Sequence, residues 1–323
     1  MYDIVALGES LIDFTPNGTN EMGMLQFVRN PGGAPANVLA MFTKLGGKTA
    51  FIGKVGNDEF GKFLTATMKD AGIDVSAVAV SEEIPTTLAI VQLTESGDRS
   101  FSFYRKPGAD IMLSADDLNK EMLTHCNVFH FGSVSLTDEP SKSTTLKAAA
   151  IAKDSGAIIS YDPNYRPLLW KSESEAKKVI LEALKLADIV KVSYEEMVLL
   201  TGKQDLKAGA EELAQYGAVL VIITMGSKGA YYHTKTSCAL SNTYDVKTVD
   251  TTGAGDAFFG AMLWKLKGKS LDEISKISAD EWNEILDFAN AAGSLTTTKK
   301  GAIPAMPNLA EIEECMKKVK KIV

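Results

Sequence analysis

The chain of 323 residues is 45% hydrophobic and 23% charged, enough for one large buried core or for a main domain with a smaller accessory one. Its formal net charge of -7 argues against nucleic acid or an anionic membrane surface as the partner, since either would call for a basic face. Small-molecule chemistry is the expectation that remains.

The opening stretch MYDIVALGESLIDF lacks the basic start and long apolar run of a secretory signal, and it alternates like a first strand. No later stretch reads as long and apolar enough to span a bilayer. Cys126, Cys238 and Cys315 are far apart and odd in number, which suits a reducing compartment better than a disulfide framework. The cytoplasm is the expected location.

Along the chain, short apolar runs alternate with longer amphipathic ones. DIVALG at 3–8 precedes a helical pattern over 36–45, and TAFIGKVG at 49–56 precedes one over 58–71. VFHFGS at 128–133 is followed by 141–155, AIISYD at 157–162 by 174–186, and IVKVS at 189–193 by 194–200, with AVLVIITMG at 218–226 beyond them. Strands apolar on both faces and separated by helices imply a mainly parallel sheet sandwiched by helices, the doubly wound α/β class.

Two segments break that rhythm. Residues 86–105 read as a hairpin with a Gly-Asp turn, Phe101 and Phe103 alternating against Ser100 and Ser102. SLIDFTPNGTNEMGMLQFV also reads as extended, with turn residues Pro16, Asn17 and Gly18 in its middle. The expected division is therefore a main α/β domain over 1–10, 31–85 and 106–323, with a small β-sheet lid from 11–30 and 86–105. The lysines of the closing EECMKKVKKIV belong to the wet side of an amphipathic helix. His125, Cys126 and His130 have no fourth ligand at a useful spacing and are read as structural.

The chemistry concentrates in VDTTGAGDAFFGAML, 249–263. Gly253, Ala254 and Gly255 carry little or no side chain and stand ahead of an apolar helical run, so free backbone N–H groups at that helix mouth suit a phosphate. Asp256 lies in the first turn. It either takes a proton from the group that attacks phosphorus or only complements the helix dipole. Other phosphate devices are excluded: GGKT at 46–49 lacks the leading glycine of a Walker loop, having Phe42 there, and GAGDAFFG is not the dinucleotide fingerprint. No G-x-S-x-G is present.

NPGGAPANVLAMFTKLGG at 30–47 and DTTGAGDAFFGAML resemble the two signatures of the ribokinase-like carbohydrate kinases of the PfkB type, and within them the bacterial fructokinases. GKVGNDEFGKFL, IPTTLAIVQL, FSFYRKPGADIMLS, SYDPNYRPLLW, KVSYEEMVLLTG and TMGSKGAYY follow the same family order along the chain. The resemblance implies transfer of the ATP γ-phosphate to a sugar hydroxyl. Asp256 would be the base, with the amides from Gly253 to Asp256, including those of Ala254 and Gly255, as the anion hole. It assigns sugar binding to Asp13, Gly33, Asn37 and Asp256, with Arg105 and Arg166 covering the substrate and the γ-phosphate.

By the same resemblance the nucleotide lies on Thr224, Gly226, Ser227, Gly229, Gly255 and Asn290, near Ser193. Glu196 of SYEE matches the family glutamate that holds Mg2+ through water, with Ser193 in place of the usual asparagine. Asp250 and Thr252, with carbonyls of Lys299 and Gly301, match a K+ site. Leu39 stands where the family has a small residue. A 2-keto-3-deoxygluconate kinase remains the nearest alternative, although KPGAD after Arg105 looks more like fructokinase. A nucleotide-binding regulator without turnover and a dinucleotide oxidoreductase are the readings from other classes. Exposed lid strands invite a homodimer.

Overall fold

Runs that are apolar at every position become strands here, because a strand between two helix layers has no wet face. This computed structural model describes residues 1–93 and 99–322. The strands are β1 (Tyr2–Leu7), β2 (Leu11–Thr19), β3 (Leu25–Gly32), β4 (Thr49–Gly56), β5 (Asp74–Ser81), β6 (Leu88–Leu93) and β7 (Arg99–Tyr104). They continue with β8 (Cys126–Gly132), β9 (Ile158–Asp162), β10 (Ile189–Ser193), β11 (Leu220–Thr224), β12 (Ala230–Thr234) and β13 (Cys238–Ser241). The helices are α1 (Ala34–Lys44), α2 (Glu59–Asp70), α3 (Lys120–Thr124), α4 (Ser141–Asp154), α5 (Glu173–Leu184) and α6 (Tyr194–Thr201). After them come α7 (Leu206–Ala214), α8 (Ala254–Lys265), α9 (Leu271–Ser275), α10 (Ala279–Thr296) and α11 (Leu309–Lys318).

Nine strands form the main sheet in the order β13-β12-β11-β10-β9-β8-β1-β4-β5. Only β12 and β13, at one edge, run antiparallel to their neighbours. Alternation along β1 splits the core. Ile4 and Ala6 pack with α1, α8 and α10 on one face, and Val5 and Leu7 pack with α4, α5 and α7 on the other. The strand order reverses between β1 and β8, the switch point outside which open α/β sheets place their ligands. The doubly wound expectation is met, and among the described residues no helix is long and apolar enough to cross a membrane.

The second sheet has the order β3-β2-β6-β7. Its strand β2 alternates as a half-buried strand should. Ile12 and Phe14 pack toward Phe60, Phe63 and Leu64 of α2, while Leu11, Asp13 and Thr15 face a cavity. The turn between β2 and β3 is not at Pro16–Gly18. Those residues lie within β2, where the pairing register shifts, and the chain reverses at Asn20, whose Oδ1 accepts from Met22 N–H at 3.0 Å and Met24 N–H at 2.9 Å. The asparagine side chain can bond its own backbone ahead, so it outcompetes Pro-Asn-Gly as the turn and leaves that triplet to a bulge. β6 pairs antiparallel with β7 as expected, from Leu88 with Tyr104 to Leu93 with Arg99. The Gly-Asp turn between them lies outside the described residues.

Candidate functional site

Helices α1 and α8 begin side by side at the carboxyl ends of the strands. Gly33, at the mouth of α1, has φ 124°, and a Cβ there would run into the Glu9 carbonyl oxygen, so only glycine allows this approach. Gly253 caps α8 in the left-handed region with φ 76°, and its missing Cβ would stand 2.5 Å from Ala302 Cβ. No side chain caps α8, which leaves its leading amides to a ligand, apart from Ala254 N–H, which donates to Thr251 O at 3.3 Å.

Asp256 is buried at this mouth, and Asn37 Nδ2 donates to its Oδ2 at 2.8 Å. Burial pushes the carboxyl above the usual range, partly offset by the Lys191 ammonium, while Asp162 adds to the rise. Lys191 is the functional candidate that the sequence reading missed. It shares the α8-facing side of β10 with Ile189, its Nζ lies 2.5 Å from Asp162 Oδ2, and a Cβ on Gly255 would come within 3.2 Å of it. Burial pulls its pKa down, but Asp162, Asp256 and Glu196 outweigh that and raise it, so it stays charged. A lysine in the middle of the apolar run IVKVS was the available signal, because an unpaired charge there would be prohibitive.

A cavity of about 450 Å³ opens in front of Asp256, with Asp13, Gly33, Asn37, Arg166, Asp250 and Gly255 in its wall. Burial pushes Asp13 up to about 6 against the pull of Arg166, and Gly32 makes room for its carboxylate, which a Cβ there would strike. Arg166 is exposed at the rim, its Nη1 donating to the Asn164 carbonyl at 3.3 Å. Glu9 also lines this space. Its Oε1 accepts from Ala34 N–H at 2.9 Å, Oε2 has no partner, and burial pushes it up to about 7. Nothing in its surroundings on the sequence marked Glu9 out.

Arg105 does not cover the cavity as expected. It is buried just past the end of β7, with Nε 2.8 Å from Asp110 Oδ2, Nη1 donating to Thr137 Oγ1 at 2.8 Å and Nη2 donating to Val134 O at 3.0 Å. A guanidinium with a buried carboxylate and two oxygens in its fork is fully used as an anchor for the end of β7.

On the other side of the α8 mouth lies a cavity of about 480 Å³ lined by Thr224, Gly226, Ser227, Gly229 and Asn290. Asn290 is buried, and its Nδ2 donates to Ser241 Oγ at 3.1 Å, tying α10 to β13. Thr251 and Gly255 border both cavities, so the two meet at the glycine turn.

Ser193 and Glu196 form a reciprocal cap on α6: Ser193 Oγ accepts from Glu196 N–H at 3.1 Å and Glu196 Oε2 accepts from Ser193 N–H at 2.7 Å. The pattern S-x-x-E gives the serine a local reason of its own. Glu196 Oε1 accepts from Tyr165 N–H at 2.6 Å, and burial with Asp162 nearby raises the carboxyl. Each carboxylate oxygen keeps a second lone pair, so the residue can still accept from water bound to Mg2+. Among the described residues no three His, Cys, Asp or Glu side chains converge on a metal position.

Asp250 and Thr252 do come together, with Thr252 Oγ1 donating to Asp250 Oδ1 at 2.7 Å. Gly301 meets Asp250 through its amide, at 3.0 Å, and the Lys299 ammonium turns away to Glu311 at 3.2 Å. His125 is exposed, Cys126 is buried with Sγ toward Leu123 O, and His130 is buried edge-on to Phe259, where burial lowers it to about 4; the three do not meet.

A family model described as pfkB family carbohydrate kinase matches residues 1–309. A probable fructokinase-4 of Arabidopsis thaliana is 43% identical over 318 residues, 97% of this chain and 96% of its own length. The crystal structure of a fructokinase from Xylella fastidiosa with bound ATP has a TM-score of 0.91 at 32% identity, covering 98% of this chain and 99% of its own. That of a fructokinase from Vibrio cholerae O395 in its fructose, ADP and calcium ion bound form has a TM-score of 0.87 at 35% identity, covering 98% and 99%. Matched from end to end in sequence and in fold, this chain belongs to the pfkB family of carbohydrate kinases.

Proposed function

We propose that this protein is an ATP-dependent fructokinase that converts D-fructose and ATP to fructose 6-phosphate and ADP. The observation that carries the reading is the meeting of two cavities at one glycine turn, since a phosphoryl group must pass between a nucleotide and a sugar without entering water. Fructokinase relatives over the full chain support the choice of sugar.

In this reading the sugar hydroxyl attacks γ-phosphorus as the bond to the ADP oxygen breaks. Asp256 accepts the hydroxyl proton, and burial, by raising its pKa, makes its carboxylate a stronger base. Amides at the α8 mouth and the Lys191 charge hold the transferring group, and preset donors of this kind contribute about 3–4 kcal/mol each. Asn37 orients Asp256, and Asp13 accepts hydroxyl protons of the sugar. Bound Mg2+, through waters on Glu196, would neutralise phosphate charge; K+ would sit by Asp250 and Thr252.

A coupled ADP assay over a panel of sugars tests the assignment. Fructose should be preferred, and a strong preference for 2-keto-3-deoxygluconate would overturn it. The reading extends to a homodimer through the lid, because the edge strand β3 exposes Leu25, Phe27 and Val28 next to Met22 and Met24. Light scattering of a Phe27→Asp variant checks this: the native protein should have twice the mass of the variant. The free thiols of all three cysteines agree with a cytoplasmic location, which cell fractionation would test.

A further inference from the structure

The segment after α11 turns back across the molecule and reaches the nucleotide cavity, where none of the chemistry above uses it. Asp245 N–H donates to Lys320 O at 2.8 Å and Ile322 N–H donates to Thr243 O at 2.9 Å, flanking an isolated antiparallel bridge between Tyr244 and Lys321. Lys321 Nζ lies 2.7 Å from Asp287 Oδ1, the same oxygen to which Tyr244 OH donates at 2.6 Å, and 5.7 Å from the Tyr244 ring centre. Two backbone bonds, an ion pair and a ring contact therefore fix one short stretch of chain against α10 and the 243–245 segment.

What this fixing achieves is the position of Ile322. Its side chain lines the cavity of Thr224, Gly229 and Asn290, and it is 38% exposed. Ala254 and Gly255 of the α8 mouth line the same cavity, and in the nucleotide reading above the phosphates lie there, against the free amides of that helix start. An aliphatic side chain offers a phosphate nothing, but it can cover the flat face of a base and lose its own exposed area in doing so. Val246 lines the same cavity and adds a second apolar contact.

We propose that Ile322 is a base-contacting residue of the nucleotide site, held in place by the bridge to 243–245 and by the Lys321–Asp287 pair. This rests on the nucleotide reading above. It assigns to the segment beyond α11 a share of nucleotide affinity and no part in sugar binding or proton transfer.

The test uses the whole protein as native, Ile322→Val, Ile322→Ala and Ile322→Asp forms. ADP binding is measured by calorimetry, inhibition by inorganic tripolyphosphate by kinetics, and KM for fructose alongside. ADP should bind about 3-fold more weakly to the alanine form and about 10-fold or more weakly to the aspartate form, with valine restoring native affinity. Tripolyphosphate has no base, so its inhibition constant and the fructose KM should stay within about 2-fold in every form. Native ADP affinity in Ile322→Asp, or parallel weakening of ADP and tripolyphosphate, would overturn the assignment. A native protein that binds fructose but no ADP would instead remove the nucleotide reading, and this inference with it.

Discussion

Asn37 Nδ2 donates to Asp256 Oδ2 at 2.8 Å across a sequence separation of 219 residues, joining the first turns of α1 and α8. This bond sets where the Asp256 carboxylate points and also favours its charged form, since it lowers a carboxyl that burial has raised. Asp256→Ala should lower kcat by about 10²–10⁴-fold and largely spare ATP affinity. Asn37→Ala should lower kcat less, and it should move the acid limb of the rate profile to higher pH; an unmoved limb would separate Asn37 from the base.

Activity and one part of stability should respond to pH in opposite directions. As pH falls, protonation of Asp256, which is raised by burial, and of Asp13, at about 6, removes acceptors, so kcat/KM for fructose should decline on the acid side. Asp13 binds its proton more tightly folded than unfolded, where the pKa is about 4. Its contribution to stability is therefore fully present below about 4 and is lost as pH rises through about 6. Unfolding midpoints of Asp13→Asn and native protein should diverge over that window, the variant gaining relative to native as pH rises.

Lys191→Met should be costly in two ways. Asp162 and Asp256 lose their shared buried cation, a change of about 3–5 kcal/mol in stability for pairs of this kind. Chemical denaturation would read that loss. Turnover should fall as well, because the Asp256 carboxyl rises further without the ammonium and the phosphoryl group loses a nearby charge. A variant as stable as native with full turnover would remove Lys191 from the site.

Arg105→Ala should show mainly as a loss of stability. Asp110 would be left buried without its guanidinium, and the end of β7 would lose its hold on Thr137 and Val134. The thermal midpoint should drop by several degrees, with any rise in fructose KM reduced at temperatures well below it. A raised KM in a fully stable protein would instead restore Arg105 to the substrate.

Gly253→Ala should reduce both stability and turnover. The backbone there is left-handed, which costs a non-glycine residue about 1–2 kcal/mol, and the new methyl meets Ala302. Calorimetric unfolding and a single-turnover assay would separate the two effects.

The sequence by itself determined the parallel sheet and the glycine-led start of α8, because both are local properties of the chain. An apolar run such as IVKVS has no wet face to offer, and Gly253 allows a backbone turn that other residues resist. The strands β5, β12 and β13 and the long helix α10 do not stand out from the sequence pattern, and Pro16–Gly18 carry the signature of a turn that Asn20 in fact makes. Only the tertiary structure decided which side chains share a space. Lys191 stands against Asp162 and the α8 mouth because one face of β10 meets α8, Arg105 becomes an anchor because Asp110 and Thr137 surround it, and Ile322 reaches the cavity of Thr224 and Asn290 through a bridge to residues far back in the chain. Periodicity reports which face of an element is apolar; it carries no information on which element lies opposite, and the charge and packing at this site depend on that pairing.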